Sequence, residues 1–324
     1  MRTRVLGASG ITVSEVGLGC WAIGGPSWRD GDPVGWSGAD DAASLAGLRR
    51  AVELGVTHLD TADVYGDGHS ERLIGRLLRE IPRDQVVVAS KVGWFKGTAP
   101  AFMDPLHIRH QLEQTLANLG TDHLDIYYFH HADFGPDDRY LEEAAELMRT
   151  FQREGKIRAI GQSAYAFADF RRVCPVVRPS VVQFSYSALG GDYDQPDTDL
   201  FAWAEAQGYG IVLFSPLAQG LLLDKFDPEH PPRFGEGDIR AGGTKFAPEN
   251  LARLRRQLAP IKDRFGASTR DLARVALQVA LARSPNACVI PGFKNPAQVE
   301  INLAGAGDPL TADDVAFVRR HLQG

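Results

Sequence analysis

The sequence predicts an α/β chain closed into a single (β/α)8 barrel spanning residues 1–324. Three observations predict it. Short apolar runs rich in β-branched residues recur eight times, helix-like segments separate them, and the length suits eight such units in one domain. The runs are 15–18, 57–60, 85–91, 124–130, 157–162, 181–185, 211–214 and 287–290. They are apolar nearly throughout, as parallel strands covered on both faces must be. The helices between them carry their own punctuation. Segment 40–54 starts at Asp40 and stops at Gly55, and 70–79 opens with Ser70-Glu71 and is stopped by Pro82. Segments 105–119, 141–154 and 198–207 end at Gly120, Gly155 and Gly208, where glycine supplies the left-handed residue past the last turn. Residues 2–14, with Gly7 and Gly10 near a turn, read as a short hairpin plugging one end of the barrel. Two stretches exceed an ordinary connection, 24–39 and 221–247, and long loops after barrel strands are where such folds build their sites.

Composition narrows the function. Apolar residues make up 44% and charged residues 23%, so a large core is available. The formal charge is 35 − 41 = −6 with no block of either sign, which argues against nucleic acid or an anionic membrane as partner. Cys20, Cys174 and Cys288 lie far apart in apolar surroundings and read as buried free thiols of a reducing compartment. No apolar run approaches the ~20 residues of a membrane span, and no apolar stretch follows the arginines of the first seven residues. The expected location is the cytoplasm.

The polar residues at strand ends carry the chemistry. Asp60, Lys91 and His130 close the second, third and fourth strands, and Tyr65 follows in the next loop. In a parallel barrel all four reach the same rim. Lys91 there is expected to lower the phenol pKa of Tyr65, Asp60 to hold Lys91, and His130 to orient a substrate oxygen. Tyr65 then becomes a general acid for a developing alkoxide, the requirement of carbonyl reduction by hydride. A purely structural Asp–Lys pair is the competing reading of two of these residues, but not of four in strand order.

The run Asp60-Thr61-Ala62-Asp63-Val64-Tyr65-Gly66, followed by Ser70-Glu71 and Gly75, resembles the signature of the aldo-keto reductase family. Other family marks follow in order along the chain, including bacterial NADP-dependent members and channel β-subunit-like relatives. The resemblance implies a TIM barrel with Asp60, Tyr65, Lys91 and His130 as catalytic tetrad. It also implies a nicotinamide cofactor, NADP(H) in preference to NAD(H). Ser163 and Gln183 match residues that hold the carboxamide, and Phe214 matches the aromatic that stacks on the ring. Ser163 is followed by Ala164 where the family commonly has Asn. Ser215, Pro216, Leu217 and Gly220 resemble the pyrophosphate segment. Gly292, Lys294, Gln298 and Asn302 resemble the adenosine and 2′-phosphate site, with Lys294 where Arg is frequent. Trp21 and Trp94 are expected in the substrate pocket, with Trp28, Trp36 and Phe226 as further aromatic wall. The function implied is NADPH-dependent reduction of aldehydes or ketones, sugar carbonyls among them. The rival is a nucleotide-binding regulatory or sensor subunit with little turnover, as some channel-associated relatives are.

Two other patterns are decoys. Gly17-Leu18-Gly19-Cys20-Trp21-Ala22 fits a dinucleotide fingerprint, yet Ile23-Gly24-Gly25-Pro26 forbids the helix that must follow. His130-His131 invites a metal site, but neighbouring strand residues face opposite ways, so no metal is expected.

Overall fold

The computed structural model describes residues 1–191, 193 and 196–323. The chain opens with an antiparallel hairpin, β1 (Thr3–Val5) against β2 (Thr12–Ser14). The first barrel strand is β3 (Leu18–Gly19), and the loop after it contains a small hairpin, β4 (Trp28–Arg29) and β5 (Asp32–Pro33). The remaining barrel strands are β6 (His58–Asp60), β7 (Val87–Val92), β8 (Leu124–Phe129), β9 (Ile157–Ser163), β10 (Val181–Ser185), β11 (Gly210–Phe214) and β12 (Ala287–Ile290). They pair in chain order, all parallel. Gly17 N donates to Val289 O at 2.8 Å and Gly19 N to Pro291 O at 3.0 Å, joining the first strand to the last. The result is a closed (β/α)8 TIM barrel.

Helices pack outside it: α1 (Asp41–Glu53), α2 (His69–Leu78), α3 (Pro105–Leu119), α4 (Leu141–Arg153), α5 (Phe167–Val177) and α6 (Leu200–Ala206). Then come α7 (Pro248–Phe265), α8 (Thr269–Leu281), α9 (Pro296–Asn302) and α10 (Ala312–Gln323). The glycines expected to stop helices do so in the left-handed region, with φ of 87° at Gly55, 65° at Gly120, 74° at Gly155 and 73° at Gly208. The expected starts shift where local chemistry intervenes. Arg83–Gln85 forms a 3-10 turn, so the third barrel strand begins at Val87 and not at 85. Asp199 caps α6 by accepting from Ala202 N at 3.0 Å, so that helix begins at Leu200 and not at 198.

The core has two compartments, set by the two-residue period of a strand. Leu59, Val88, Tyr127, Phe129, Val182, Phe184 and Leu213 point outward into the layer beneath the helices. Ala89, Ile126, Tyr128, Ala159, Val181, Val212 and Cys288 point inward and fill the barrel. Leu6, Ile11 and Val13 of the N-terminal hairpin belong to this inner cluster, so the hairpin is the plug the sequence predicts. Among the described residues no helix is long and apolar enough to cross a membrane.

Helix α2 is pressed on α3 at Gly75. A Cβ there would lie 2.5 Å from Asn118 O and 2.9 Å from Leu119 O, both backbone atoms. Alanine is the better helix former by about 1 kcal/mol, but overpacking typically costs about 1–3 kcal/mol. Gly75→Ala is therefore expected to destabilise the protein, read as a lower urea midpoint with an unchanged slope. A midpoint equal to or above wild type would show that the two helices can part without cost.

Candidate active site

The inward register continues to the strand ends. His58 and Asp60 flank outward Leu59, Ala89 and Lys91 flank Ser90, and Tyr128 and His130 flank outward Phe129. The same alternation that fills the barrel thus delivers a carboxylate, an ammonium and an imidazole to one rim. Lys91 is 1% exposed and Asp60 2%. Lys91 Nζ donates to Asp60 Oδ1, to Thr61 O at 2.8 Å and, at 3.4 Å, to the Tyr65 hydroxyl. The second Asp60 oxygen accepts from Gln183 Nε2 at 2.8 Å. The loop carrying Tyr65 is held from below. Asp63 N donates to Lys91 O at 3.2 Å and Gly68 N to Asp63 O at 2.8 Å. Ser70 Oγ donates to Cys20 O at 2.8 Å, and buried Glu71 accepts from Ser90, Thr115 and Asn118, each at 2.8 Å. The Ser70-Glu71 pair and Gly75 in the sequence are thus the mounting of the tyrosine loop.

One sequence expectation is corrected. The expected net lowering of the Tyr65 pKa is not found; the phenol is held well above its ordinary value, by burial first and by the Asp60 charge next, which together outweigh the nearby ammonium. The reason is that the ammonium is committed to Asp60 and sits at the outer limit of hydrogen bonding to the phenol oxygen. Tyr65 therefore keeps its proton. His130 moves the other way. Burial, then the charge of Lys91, pushes its pKa well below the usual histidine value, so the ring is neutral. Its Nδ1 is buried without a partner among the described residues.

Tyr65 and His130 stand at the floor of a cavity of about 520 Å³. Asp60, Trp21, Trp94, Ser163, Gln183, Phe214, Ser215, Pro216, Leu217, Gly220, Gly292, Lys294, Gln298 and Asn302 all line it, as the sequence reading groups them; Lys91 lies beneath the floor. Trp21 stacks on Tyr65 at 5.9 Å between ring centres, and Trp36 meets Trp21 edge-on at 5.6 Å. Trp28 and Phe226 do not reach the cavity. Trp28 is exposed and Phe226 packs on Phe246 at 5.2 Å, so both serve the loops themselves.

The far end of the cavity suits a phosphorylated ligand. After β11 the backbone passes through Leu217 (φ −96°) into left-handed Ala218 (φ 48°), Gln219 (φ 58°) and Gly220 (φ 91°). Ala218 N and Gly220 N close this turn on Ser215 O and Leu217 O at 2.8 and 2.9 Å, which fixes the loop that lines this end of the cavity. Lys225, Arg240 and Lys294 converge beside it. Burial, then the charges of Arg240 and Lys294, pushes the Lys225 pKa down, and burial with Arg240 does the same to Lys294. Arg240 is already answered by Asp238, which also offsets part of the Lys294 shift, so Lys225 and Lys294 are the cations that an anion here would relieve. Lys294 N is also held by Gln298 Oε1 at 2.8 Å, and Asn302 Nδ2 donates to Gly292 O at 3.0 Å. The donor set fits a nicotinamide dinucleotide.

Sequence reasoning missed Lys225, Arg240, Tyr165 and Arg29, which also line the cavity. The first three sit in irregular segments with no local signal. Arg29 had one: Asp30 (φ 52°) and Gly31 (φ 89°) form a two-residue turn with both φ positive, for which Asp-Gly is the favoured pair. The two patterns set aside in the sequence have these places in the fold. Only a single 3-10 turn, Ala22–Gly24, follows the glycines, and a Cβ on Gly19 would lie 2.7 Å from Ile290 O, so glycine serves the closing of the barrel. His131 turns out of the catalytic cavity into a neighbouring groove of about 470 Å³, with Nε2 2.6 Å from Gly93 O. All three cysteines are buried and free.

The barrel and its rim define an oxidoreductase of the carbonyl-handling type. Residues 15–323 match the model of the Aldo/keto reductase family, and the chain belongs to that family. It is 29% identical to the NADH-specific methylglyoxal reductase of Escherichia coli, covering 98% of each chain. It is 34% identical to an uncharacterised oxidoreductase of Mycobacterium tuberculosis, over 93% of this chain and 86% of the relative. Its structure superposes on the glycerol dehydrogenase of Gluconobacter oxydans with a TM-score of 0.80 at 25% identity, covering 99% of this chain and 94% of that one.

The two long loops are knotted together over the mouth. Gly35 N donates to Gly237 O at 3.0 Å and Ile239 N to Gly35 O at 3.0 Å. Buried Asp238 accepts from Ser37 N and Oγ at 2.8 Å each and from Arg240 through two nitrogens at 2.8 and 2.6 Å. Burial opposes its charge, but these donors prevail and hold its pKa far below the usual carboxylate range. Asp238→Ala is expected to free both loops. Limited proteolysis should then cut within 24–39 and 221–247 at protease levels that leave wild type intact. Unchanged resistance would show that the knot does not depend on this carboxylate.

Proposed function

We propose that this chain, working as one unit over residues 1–324, reduces aldehydes or ketones, sugar carbonyls among them, with NADPH as hydride donor. The observation that carries the reading is the Lys91 ammonium set between Asp60 and the Tyr65 hydroxyl, with a neutral His130 beside it. The reduced nicotinamide supplies the hydride. Ser163 and Gln183 would fix the carboxamide edge, and Phe214 would pack on the ring. His130 donates a hydrogen bond to the carbonyl oxygen and aims it at Tyr65, 5.7 Å away between ring centres. Tyr65 gives its proton to that oxygen as negative charge develops. Lys91 stabilises the phenolate left behind, and Asp60 keeps Lys91 charged and in place. The raised pKa means that Tyr65 carries its proton at neutral pH, and charge developing on the carbonyl oxygen is what draws it off. Trp21 and Trp94 would wall the substrate. Buried free thiols fit a reducing cytoplasm.

Tyr65→Phe is expected to lower kcat by ~10²–10⁴-fold while the NADPH Kd, by fluorescence titration, stays nearly constant. Wild-type turnover in this variant, with the chemical step limiting, would remove Tyr65 as donor. Because the Tyr65 pKa is raised and that of His130 lowered, both keep the reactive protonation state between about pH 6.5 and 9.5. The pH profile of kcat/KM should be flat there; an inflection that vanishes in Tyr65→Phe or in His130→Asn would contradict the assignment.

The preference for NADPH is assigned to the cation cluster, Lys294 above all. The Escherichia coli relative is named for NADH, so the cofactor is a point to measure. A charge-assisted bond to a phosphate is worth about 1.5–3 kcal/mol, and Lys lacks the fork of Arg. Lys294→Ala should weaken NADPH about tenfold or more and NADH little, with the difference shrinking at high salt. Equal losses, or tighter binding of NADH by wild type, would reverse the cofactor assignment.

A further inference from the structure

Arg29 is a cation lining the cavity whose side chain has no hydrogen bond and no carboxylate partner among the described residues. It is half-buried, and its guanidinium lies 4.3 Å from the centre of the Trp94 ring. Trp94 in turn packs 6.4 Å from His130, so the cation stands about one aromatic ring beyond the reacting end of the pocket. Its charge is felt there, contributing to the lowered pKa of His130 and opposing the raised pKa of Tyr165. The backbone beneath it is stiff. The backbone of Arg29 pairs with that of Asp32 across the Asp30-Gly31 turn, and the start of this hairpin is tied to the other long loop by Ser27 N to Gly237 O at 3.4 Å. A guanidinium held over an aromatic ring by cation–π attraction still has its N–H donors available for hydrogen bonds. That is the geometry for a carboxylate, which takes two parallel N–H bonds.

We propose that Arg29 selects carbonyl substrates bearing a carboxylate, with the carbonyl at Tyr65 and His130 and the carboxylate on the Arg29 fork. The inference rests on the carbonyl-reductase reading and names its substrate class. Aromatic walls alone would accept neutral and charged compounds by size. A half-buried cation held on Trp94 adds a preference of sign, and the lining of Trp21, Trp36 and Trp94 holds the spacer between the two polar ends.

The experiment compares matched probes. With NADPH present, kcat/KM is measured for benzaldehyde and 4-carboxybenzaldehyde in wild type, Arg29→Gln and Arg29→Lys. Wild type should favour the carboxylated aldehyde by tenfold or more. Arg29→Gln should lower that ratio at least tenfold, and Arg29→Lys should restore part of it. In parallel, calorimetry follows benzoate and benzamide binding to the NADPH-loaded protein. Benzoate should lose tenfold or more on Arg29→Gln, and benzamide should change by less than threefold. A ratio that is the same in wild type and Arg29→Gln, or equal losses of benzoate and benzamide, overturns the proposal. Arg29-dependent benzoate binding without reduction of either aldehyde supports the carboxylate site and overturns the reductase reading instead.

Discussion

Lys91 and Asp60 form a buried ion pair on which the site depends. Two charges removed from water are tolerable only with excellent geometry and with their remaining donors and acceptors satisfied. Here Lys91 finds Asp60, Thr61 O and the Tyr65 hydroxyl, and Asp60 finds Gln183. These bonds join β6, β7, β10 and the tyrosine loop. Truncating one partner of such a pair costs about 3–5 kcal/mol, because the other charge stays buried alone. The pair is therefore at once a fastener between strands and the setting of the reactive phenol. It also explains why the phenol does not ionise: the positive charge is already answered.

Most of the fold was legible because parallel strands and helix stops leave local marks. Seven of the eight apolar runs fall on barrel strands, the first, 15–18, meets its strand only at Leu18, and the four helix-stopping glycines take the backbone angles expected of them. Where reading failed, the marks were mixed. Helix α5 contains Pro175 and α7 contains Pro260, which hide their periodicity. Helix α8 could have been read, since Ser268 and Asp271 make a capping box at its start. At the site, the grouping of Asp60, Lys91 and His130 follows from strand register alone. Lys225 and Arg240 do not: the length of 221–247 marks that loop for the site, but nothing local says which of its side chains reach the cavity. The direction of the Tyr65 pKa was misread for a related reason. Spacing shows that a lysine is near, but only geometry shows that its charge is already paired.

The adjacent histidines show how far one step of register reaches. His130 faces inward and has lost its affinity for a proton to burial and to Lys91. His131 faces the next groove, accepts from Asp133 N at 3.0 Å and packs on Trp94 at 4.3 Å. Trp94 is the partition between them, lining both spaces. One residue type in two consecutive positions therefore has two environments, one in the reactive cavity and one in its wall.

The backbone bridge between Gly35 and Asp238 has a kinetic consequence. One bridged loop carries the hairpin with Arg29; the other carries Lys225 and Arg240, beside the phosphate-shaped end. Neither can swing out without breaking bonds to its neighbour. On the proposed reading, dinucleotide and carbonyl compound would meet the same tied pair of loops, and any outward motion admitting one would also affect the other. A slow release of the larger molecule would set the pace for both, so turnover in such a barrel is governed at the rim as much as at the floor.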